Sequence, residues 1–367
     1  MLHRRFKLLT TLAALVIMLT AATNEKKTTI FIIGDSTAAQ KDLSKGKLER
    51  GWGMALQCYF DDNIRVDNHA VNGRSSLSFF NEGRWAKVLE KMKPGDYVII
   101  QFGHNDEKAP KDRHTDPGST FDYMLARYVR ETREKGGIPV LMNCVVRRNF
   151  FVNAPENDDD EKLRTQTFKD GVRMVEGDSL IDTHGLYRVA PRDVAERMNV
   201  HFVDANKITH DLEQGLGTEA SKRLHMWFKP GEEPSVPDGR QDNTHYNIYG
   251  AHVVAHLLAD ALCEEIPVLK KYRCDADITV DRLGRGDYMD LEQAVKAAQN
   301  ARSSSTDQPN SAWSACAPVL RETRSNTSFW PSQLESHVSA ANSAKLIRPR
   351  RKPRLFCSSV ALSVMAR

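Results

Sequence analysis

Ser36 closes the run Ile30-Phe31-Ile32-Ile33-Gly34-Asp35-Ser36-Thr37, in which an apolar, strand-like stretch delivers a hydroxyl into a Gly-Asp-Ser turn. A serine at the carboxyl edge of a sheet, with backbone N–H groups free beside it, is where an acyl-transfer nucleophile would sit. Its hydroxyl is barely nucleophilic at neutral pH, so an imidazole must take the proton and a carboxylate must steady that imidazole. Asp242-Asn243-Thr244-His245, just before an apolar helix over 253–262, offers both. Taken alone, a Gly-Asp-Ser tripeptide is an ordinary turn or helix cap. The downstream Asp and His raise the catalytic reading above it.

Between these blocks lie two more strand ends with small and polar residues. Asn68-His69-Ala70-Val71-Asn72-Gly73-Arg74-Ser75 ends at a glycine, and 96–102 runs into Gly103-His104-Asn105-Asp106. Either could supply an oxyanion donor. Gly73 could equally serve a positive-φ turn and Asn105 could cap a helix. Asp106, His104 and His184 could brace a site through hydrogen bonds. The His spacing is too sparse for a zinc site, and no metal or other cofactor is expected.

Four blocks in this order resemble the SGNH (GDSL-type) hydrolases. The resemblance implies Ser36 as nucleophile, His245 as base, Asp242 as its orienter, and an oxyanion hole from the Ser36 and Gly73 backbone N–H groups with the Asn105 side-chain amide. A closer resemblance is to rhamnogalacturonan acetylesterases, through Gly103 to Asp106, Val146-Arg147-Arg148-Asn149-Phe150, Asp182-Thr183-His184-Gly185-Leu186-Tyr187 and the block opening at Asp242. It covers most of residues 28–265 and implies removal of acetyl groups from pectic polysaccharide. Arg74, Arg147 and Arg148 are candidates to meet galacturonate carboxylates, with surface or structural charge the alternative for each, and Asp106 is a further candidate substrate contact. Alternatives are an SGNH esterase acting on xylan acetyl, lipid or aryl esters, and a non-catalytic carbohydrate-binding protein of the same fold. The intact Ser36, Asp242 and His245 set argues against the second.

The elements that must position these groups alternate. Residues 28–33, 64–68, 97–102, 139–145 and 200–203 have the pattern of short buried strands, and 52–60, 121–135, 186–198 and 251–262 that of helices. Buried parallel strands need helices on both faces, so the expected architecture is a three-layer α/β/α sandwich around a central parallel sheet, flavodoxin-like, with its site at the strands' carboxyl ends. Residues 149–164, with an acidic run at 158–160, are expected to be a solvated loop.

Residues 1–22 have a basic start, an apolar run over 8–19 and the small residues Ala21-Ala22, the layout of a cleaved secretory signal. The mature enzyme is then expected to be periplasmic or secreted, without membrane insertion. The hydrolase domain is assigned to 23–274. Within 367 residues, 40% hydrophobic composition supports an ample core, and a net charge of +4 does not announce nucleic-acid binding. A weakly basic cleft suits an acidic polysaccharide, and a monomer is expected. Of six cysteines, Cys58 and Cys144 fall in apolar stretches as core thiols, whereas Cys263 and Cys274 flank a short connection and are candidates to pair.

Beyond Cys274, residues 278–295 resemble the opening of pectin methylesterases: a strand, a Gly-rich turn and a first helix. Residues 275–300 are therefore expected to be a truncated start of such a domain and 301–367 a basic, low-order tail, because one coil cannot build a β-helix. The alternative is a basic tail that binds an anionic surface.

Overall fold

The computed structural model describes residues 27–150, 177–274, 278–281 and 283–297, with the backbone alone of 319–322 and 361–363. The expected signal segment, the acidic run at 158–160 and most of the basic tail lie outside the described residues.

Five parallel strands form the central sheet: β1 (Thr28–Gly34), β2 (Ile64–Asn68), β3 (Tyr97–Gln101), β4 (Ile138–Met142) and β5 (His201–Val203). Their order is β2-β1-β3-β4-β5, with Ile32 beside Asn68 on one side and Ile99 on the other. The order of strand addition reverses between β1 and β3, and at such a switch point the loops leaving adjacent parallel strands turn apart and leave room for a ligand.

Alternation along β1 separates the two outer layers. Ile30 and Ile32 pack with α1 (Trp52–Ala55), the 3-10 turn Leu56–Tyr59 and α7 (Ile248–Glu265). Phe31 and Ile33 face α2 (Ser76–Asn81), α3 (Arg84–Lys91), α4 (Thr120–Glu134) and α5 (Ala190–Met198). Side chains one apart on a strand must point to opposite faces, so apolar residues at both positions demand cover on both sides. Helix α6 (Ala205–Ala220) follows β5, Asp204 capping it by accepting from Lys207 N.

Departures from the sequence expectation have local causes. The helix expected over 52–60 passes into a 3-10 turn after Ala55, and that over 186–198 is a 3-10 turn at Gly185–Arg188 followed by α5, which opens with Pro191 in its first turn. Pro lacks the N–H that a helix interior needs but suits a first turn. A hairpin of β6 (His225–Phe228) and β7 (Arg240–Tyr246) forms a separate two-stranded sheet where no strand was expected. Finally, Cys263 and Cys274 are thiols, not a disulfide. Cys263 is buried on α7, while Cys274 lies past the 3-10 turn Pro267–Tyr272, its backbone N–H donating to Tyr59 O.

After Cys274 the chain stays on the domain. Strand β8 (Ile278–Val280), a turn and a helical stretch over 291–297 follow the expected order. Arg50 Nε donates to Gly284 O at 3.1 Å and the Cys58 thiol to Arg285 O at 3.3 Å, joining the turn to the hydrolase core. Past residue 300, where no strand was expected, β9 (Val319–Glu322) pairs in parallel with β8, and β10 (Ala361–Ser363) antiparallel with β9.

Candidate active site

The turn after β1 is held by Asp35. Its Oδ1 accepts from Thr37 N at 2.9 Å and from the Thr37 hydroxyl at 2.8 Å, which bends the chain and leaves Ser36 projecting. A side chain on Gly34 would meet Gln101 O at 2.6 Å, so only glycine lets β1 and β3 stay paired up to the turn. Burial pushes Asp35 above its ordinary value, against the two hydrogen bonds from Thr37.

His245 comes from the other end of the chain, on β7. Its Nε2 lies 2.8 Å from Ser36 Oγ, and its Nδ1 lies 3.0 Å from Asp242 Oδ2. Asp242 is fully buried, and its Oδ1 accepts from the Thr244 and His245 backbone N–H groups at 2.9 Å each. A carboxylate so bonded fixes the imidazole with Nδ1–H toward Asp242 and the Nε2 lone pair toward the serine. The next residue, Tyr246, accepts from Arg50 N at 3.0 Å, which ties the hairpin to the loop before α1.

The two expected oxyanion blocks converge on the same crevice. Gly73 has φ +72°, a conformation that L residues with a side chain resist, and the turn continues into α2 through a Ser75–Ser78 capping box. Among the described residues, the backbone N–H groups of Ser36 and Gly73 donate to no protein acceptor. Asn105 follows β3, and its side-chain amide reaches Arg74 O at 3.3 Å, bringing the Gly103 to Asp106 loop against the Gly73 turn.

Asp106 is not placed to touch substrate. It is fully buried, and its carboxylate accepts from Ser76 N at 3.0 Å, Gly103 N at 3.1 Å and the Thr115 hydroxyl at 2.8 Å, so it braces one donor loop against the other. Burial pushes its pKa up to about 7 despite those hydrogen bonds. Arg148 is likewise fully buried, bonded to Ser221 Oγ, Asn243 Oδ1 and Thr218 O, and stacked near Phe150 and Trp227. It supports the hairpin from below and leaves no charge for a ligand. Arg147 is 5% exposed and engaged by Glu107 and Thr183 Oγ1. Of the expected substrate contacts only Arg74 is accessible, its side chain 33% exposed and paired with Glu82.

His104 and His184 join in a chain behind the site. Asp182 Oδ1 lies 2.9 Å from His184 Nδ1, and His184 Nε2 lies 3.0 Å from His104 Nδ1. Burial, then the neighbouring His184 and Arg147, hold His104 well below its ordinary value, so the ring stays neutral. Arg240, Glu49 and Lys41 are charged neighbours of the site that sequence reasoning missed. The spacing of Arg240 two residues before Asp242 was the available signal, since on a strand it puts both on one face. Nothing local links either to Glu49 or Lys41.

Residues 32–253 match the GDSL-like lipase/acylhydrolase family. The chain is 36% identical to rhamnogalacturonan acetylesterase RhgT of Bacillus subtilis (strain 168) over 240 residues, 65% of this chain and 91% of that protein. It is 29% identical to the probable rhamnogalacturonan acetylesterase YesY of the same organism over 239 residues, 64% of this chain and 92% of that one. The fold is similar to the crystal structure of Bacillus subtilis YxiM, with a TM-score of 0.50 and 24% identity over 65% of this chain and 57% of YxiM. The Ser36 turn, the Gly73 and Asn105 loops and His245 thus lie within the matched residues, and the chain belongs to the GDSL-like lipase/acylhydrolase family and is a carboxylic ester hydrolase.

Proposed function

We propose that the protein removes acetyl groups from pectic polysaccharide, acetylated rhamnogalacturonan in particular, through an acetyl-enzyme on Ser36. The observation that carries the chemistry is the 2.8 Å approach of His245 Nε2 to Ser36 Oγ, with Asp242 behind the ring at 3.0 Å. His245 takes the hydroxyl proton as Ser36 Oγ bonds to the acetyl carbon. The carbonyl oxygen, now an oxyanion, accepts from Ser36 N–H, Gly73 N–H and the Asn105 amide. On collapse the C–O bond to the sugar breaks and His245 returns the proton to the leaving alcohol. Water, deprotonated by His245, then attacks the acetyl carbon, and on collapse the bond to Ser36 Oγ breaks, His245 returns the proton to that oxygen and acetate leaves.

Support for the substrate is the identity to RhgT across 91% of that protein's length. Arg74, still accessible at the rim, has the fork geometry to pair with a galacturonate carboxylate. Export to the periplasm or medium belongs to the same reading, because a pectic polymer is met outside the cell. Acetate release from acetylated rhamnogalacturonan, acetylated xylan and lipid esters tests it. The reading requires rhamnogalacturonan to give the highest kcat/KM, and equal or better turnover of acetylated xylan would overturn it.

A further inference from the structure

Asp242 belongs to the hairpin, whereas the Asn72–Gly73 turn continues from β2 of the central sheet, so no backbone ladder joins the acid to the oxyanion turn. Side chains join them instead. Arg240 Nε donates to Asp242 Oδ2 at 3.1 Å, and its Nη2 lies 2.9 Å from Glu49 Oε2. Glu49 Oε1 lies 2.8 Å from Lys41 Nζ, which also donates to Asn72 Oδ1 at 2.8 Å. The signs alternate from Asp242 through Arg240 and Glu49 to Lys41, and the chain ends on the residue before Gly73.

Isolated surface ion pairs contribute little, but here the four side chains are only 0 to 21% exposed and bonded on both sides. Burial pushes Glu49 up, yet Lys41, His245 and Arg240 outweigh it and hold the carboxyl down at about 2. Glu49 is therefore ionised wherever the enzyme works. Losing one member removes a counter-charge from partly buried neighbours, which is costly.

We propose that Arg240, Glu49 and Lys41 are positioning residues of the esterase, a strap of alternating charge that fixes the triad acid against the oxyanion turn and sets the field at His245. The inference rests on reading Ser36, His245 and Asp242 as the triad. It assigns opposite effects to neighbouring residues. A positive charge at Arg240 opposes the imidazolium formed in the reaction, and a negative charge at Glu49 favours it. The other groups facing His245 are Asp242 on its own strand, Asp35 after β1 and His104 after β3, and these stay the same in every variant below.

The test is the pH profile of kcat/KM for 4-nitrophenyl acetate on the full chain. Arg240→Gln and Lys41→Met should each move the acidic limb to higher pH, and Glu49→Gln should move it to lower pH, by a few tenths of a unit for partly screened charges. Lys41→Met should also lower kcat about tenfold, since each misplaced donor weakens the oxyanion hole. Arg240→Lys keeps the charge, so its limb should stay while kcat falls with the lost fork. Limbs that do not move, or that all move in one direction, would overturn the strap. If Arg240→Gln does not fold, Glu49→Gln, which keeps shape and hydrogen-bonding atoms, decides alone. Ser36→Ala run alongside separates the two readings: an active Ser36→Ala protein sinks the triad itself, whereas an inactive one with unmoved limbs in the others sinks only the strap.

Discussion

The site has two halves built in different ways. Ser36, Gly73 and Asn105 lie on the loops that leave three adjacent parallel strands, and the sheet's ladder brings the starts of those loops together. Asp242 and His245 stand on a hairpin outside that sheet, held by Arg148 below it, by Arg50 beside it and by the buried pair His225–Glu213 across its base. Backbone pairing positions the first half and side-chain chemistry the second. Substitution of Ser36 or Asn105 should therefore act on chemistry with little effect on stability, and substitutions of the buried side chains that brace the loops or the hairpin on stability as well.

The largest effect sharpens that contrast. Ser36→Ala should lower kcat by at least about 10⁴-fold while leaving the melting temperature within a degree or two, because it removes the acyl acceptor and touches no packed side chain. Measurable burst kinetics in that variant would break the assignment of the sheet half.

Asp106 links the two donor loops inside the sheet half, and pH reports on it. Its pKa stands at about 7 in the fold against an ordinary 3.8. Because the folded value is the higher one, the group's stabilising contribution is fully present below 3.8 and is lost as pH rises through 7. The difference amounts to about 4 kcal/mol at most. Asp106→Asn has no such titration, so urea unfolding should show the wild type losing stability relative to the variant between pH 4 and 7. Parallel curves would mean the carboxylate is fully stabilised by Ser76, Gly103 and Thr115.

Under the hairpin, Arg148→Ala should cost about 3 kcal/mol, since it opens a cavity beneath Trp227 and removes the charged donor to Ser221 Oγ and Thr218 O. Activity per folded molecule should fall with it as β7 loosens. A destabilised variant with unchanged kcat would show that the hairpin keeps its geometry without Arg148. Back in the sheet half, Asn105→Ala should lower kcat roughly 100-fold, about 2.7 kcal/mol of transition-state stabilisation, with little change in stability. An unchanged kcat would make Asn105 a tie to Arg74 only.

The same division governs what could be read from the sequence. The sheet half was legible because β1 and β3 are unbroken apolar runs ending in small and polar residues, a local pattern. The hairpin was not. Arg240–Tyr246 is Arg-Gln-Asp-Asn-Thr-His-Tyr, and of its five buried positions, 242–246, the first four are Asp, Asn, Thr and His, so no apolar alternation marks it. Asp242 and His245 were recognisable as a pair, but not as strand residues. Helix α6 escaped for a related reason: Ala205–Ala220 carries few large apolar residues and breaks at Gly217, φ +72°. The arginines, open on sequence between carboxylate binding and structural charge, have the same lesson. Arg147 and Arg148 looked like carboxylate binders, yet Glu107, Asn243 and Ser221 had already engaged them.

The smallest effect concerns the segment after Cys274. A chain ending there keeps every group assigned to chemistry and all five strands of the central sheet. It loses the Gly284 carbonyl that accepts from buried Arg50 and the Arg285 carbonyl facing Cys58. Arg50 retains its side-chain bonds to the Lys47 and Glu49 carbonyls, and its backbone N–H still donates to Tyr246 O, so the tie between the loop and the hairpin survives. Activity on an acetyl ester should then stay within about twofold, and stability should drop by about 1 kcal/mol for the lost hydrogen bonds. Methanol release from methylated pectin should be absent from both the full and the shortened chain. A tenfold loss of kcat on shortening would instead place the 278–288 turn among the supports of β7, and the hairpin half of the site would extend across the 274 boundary.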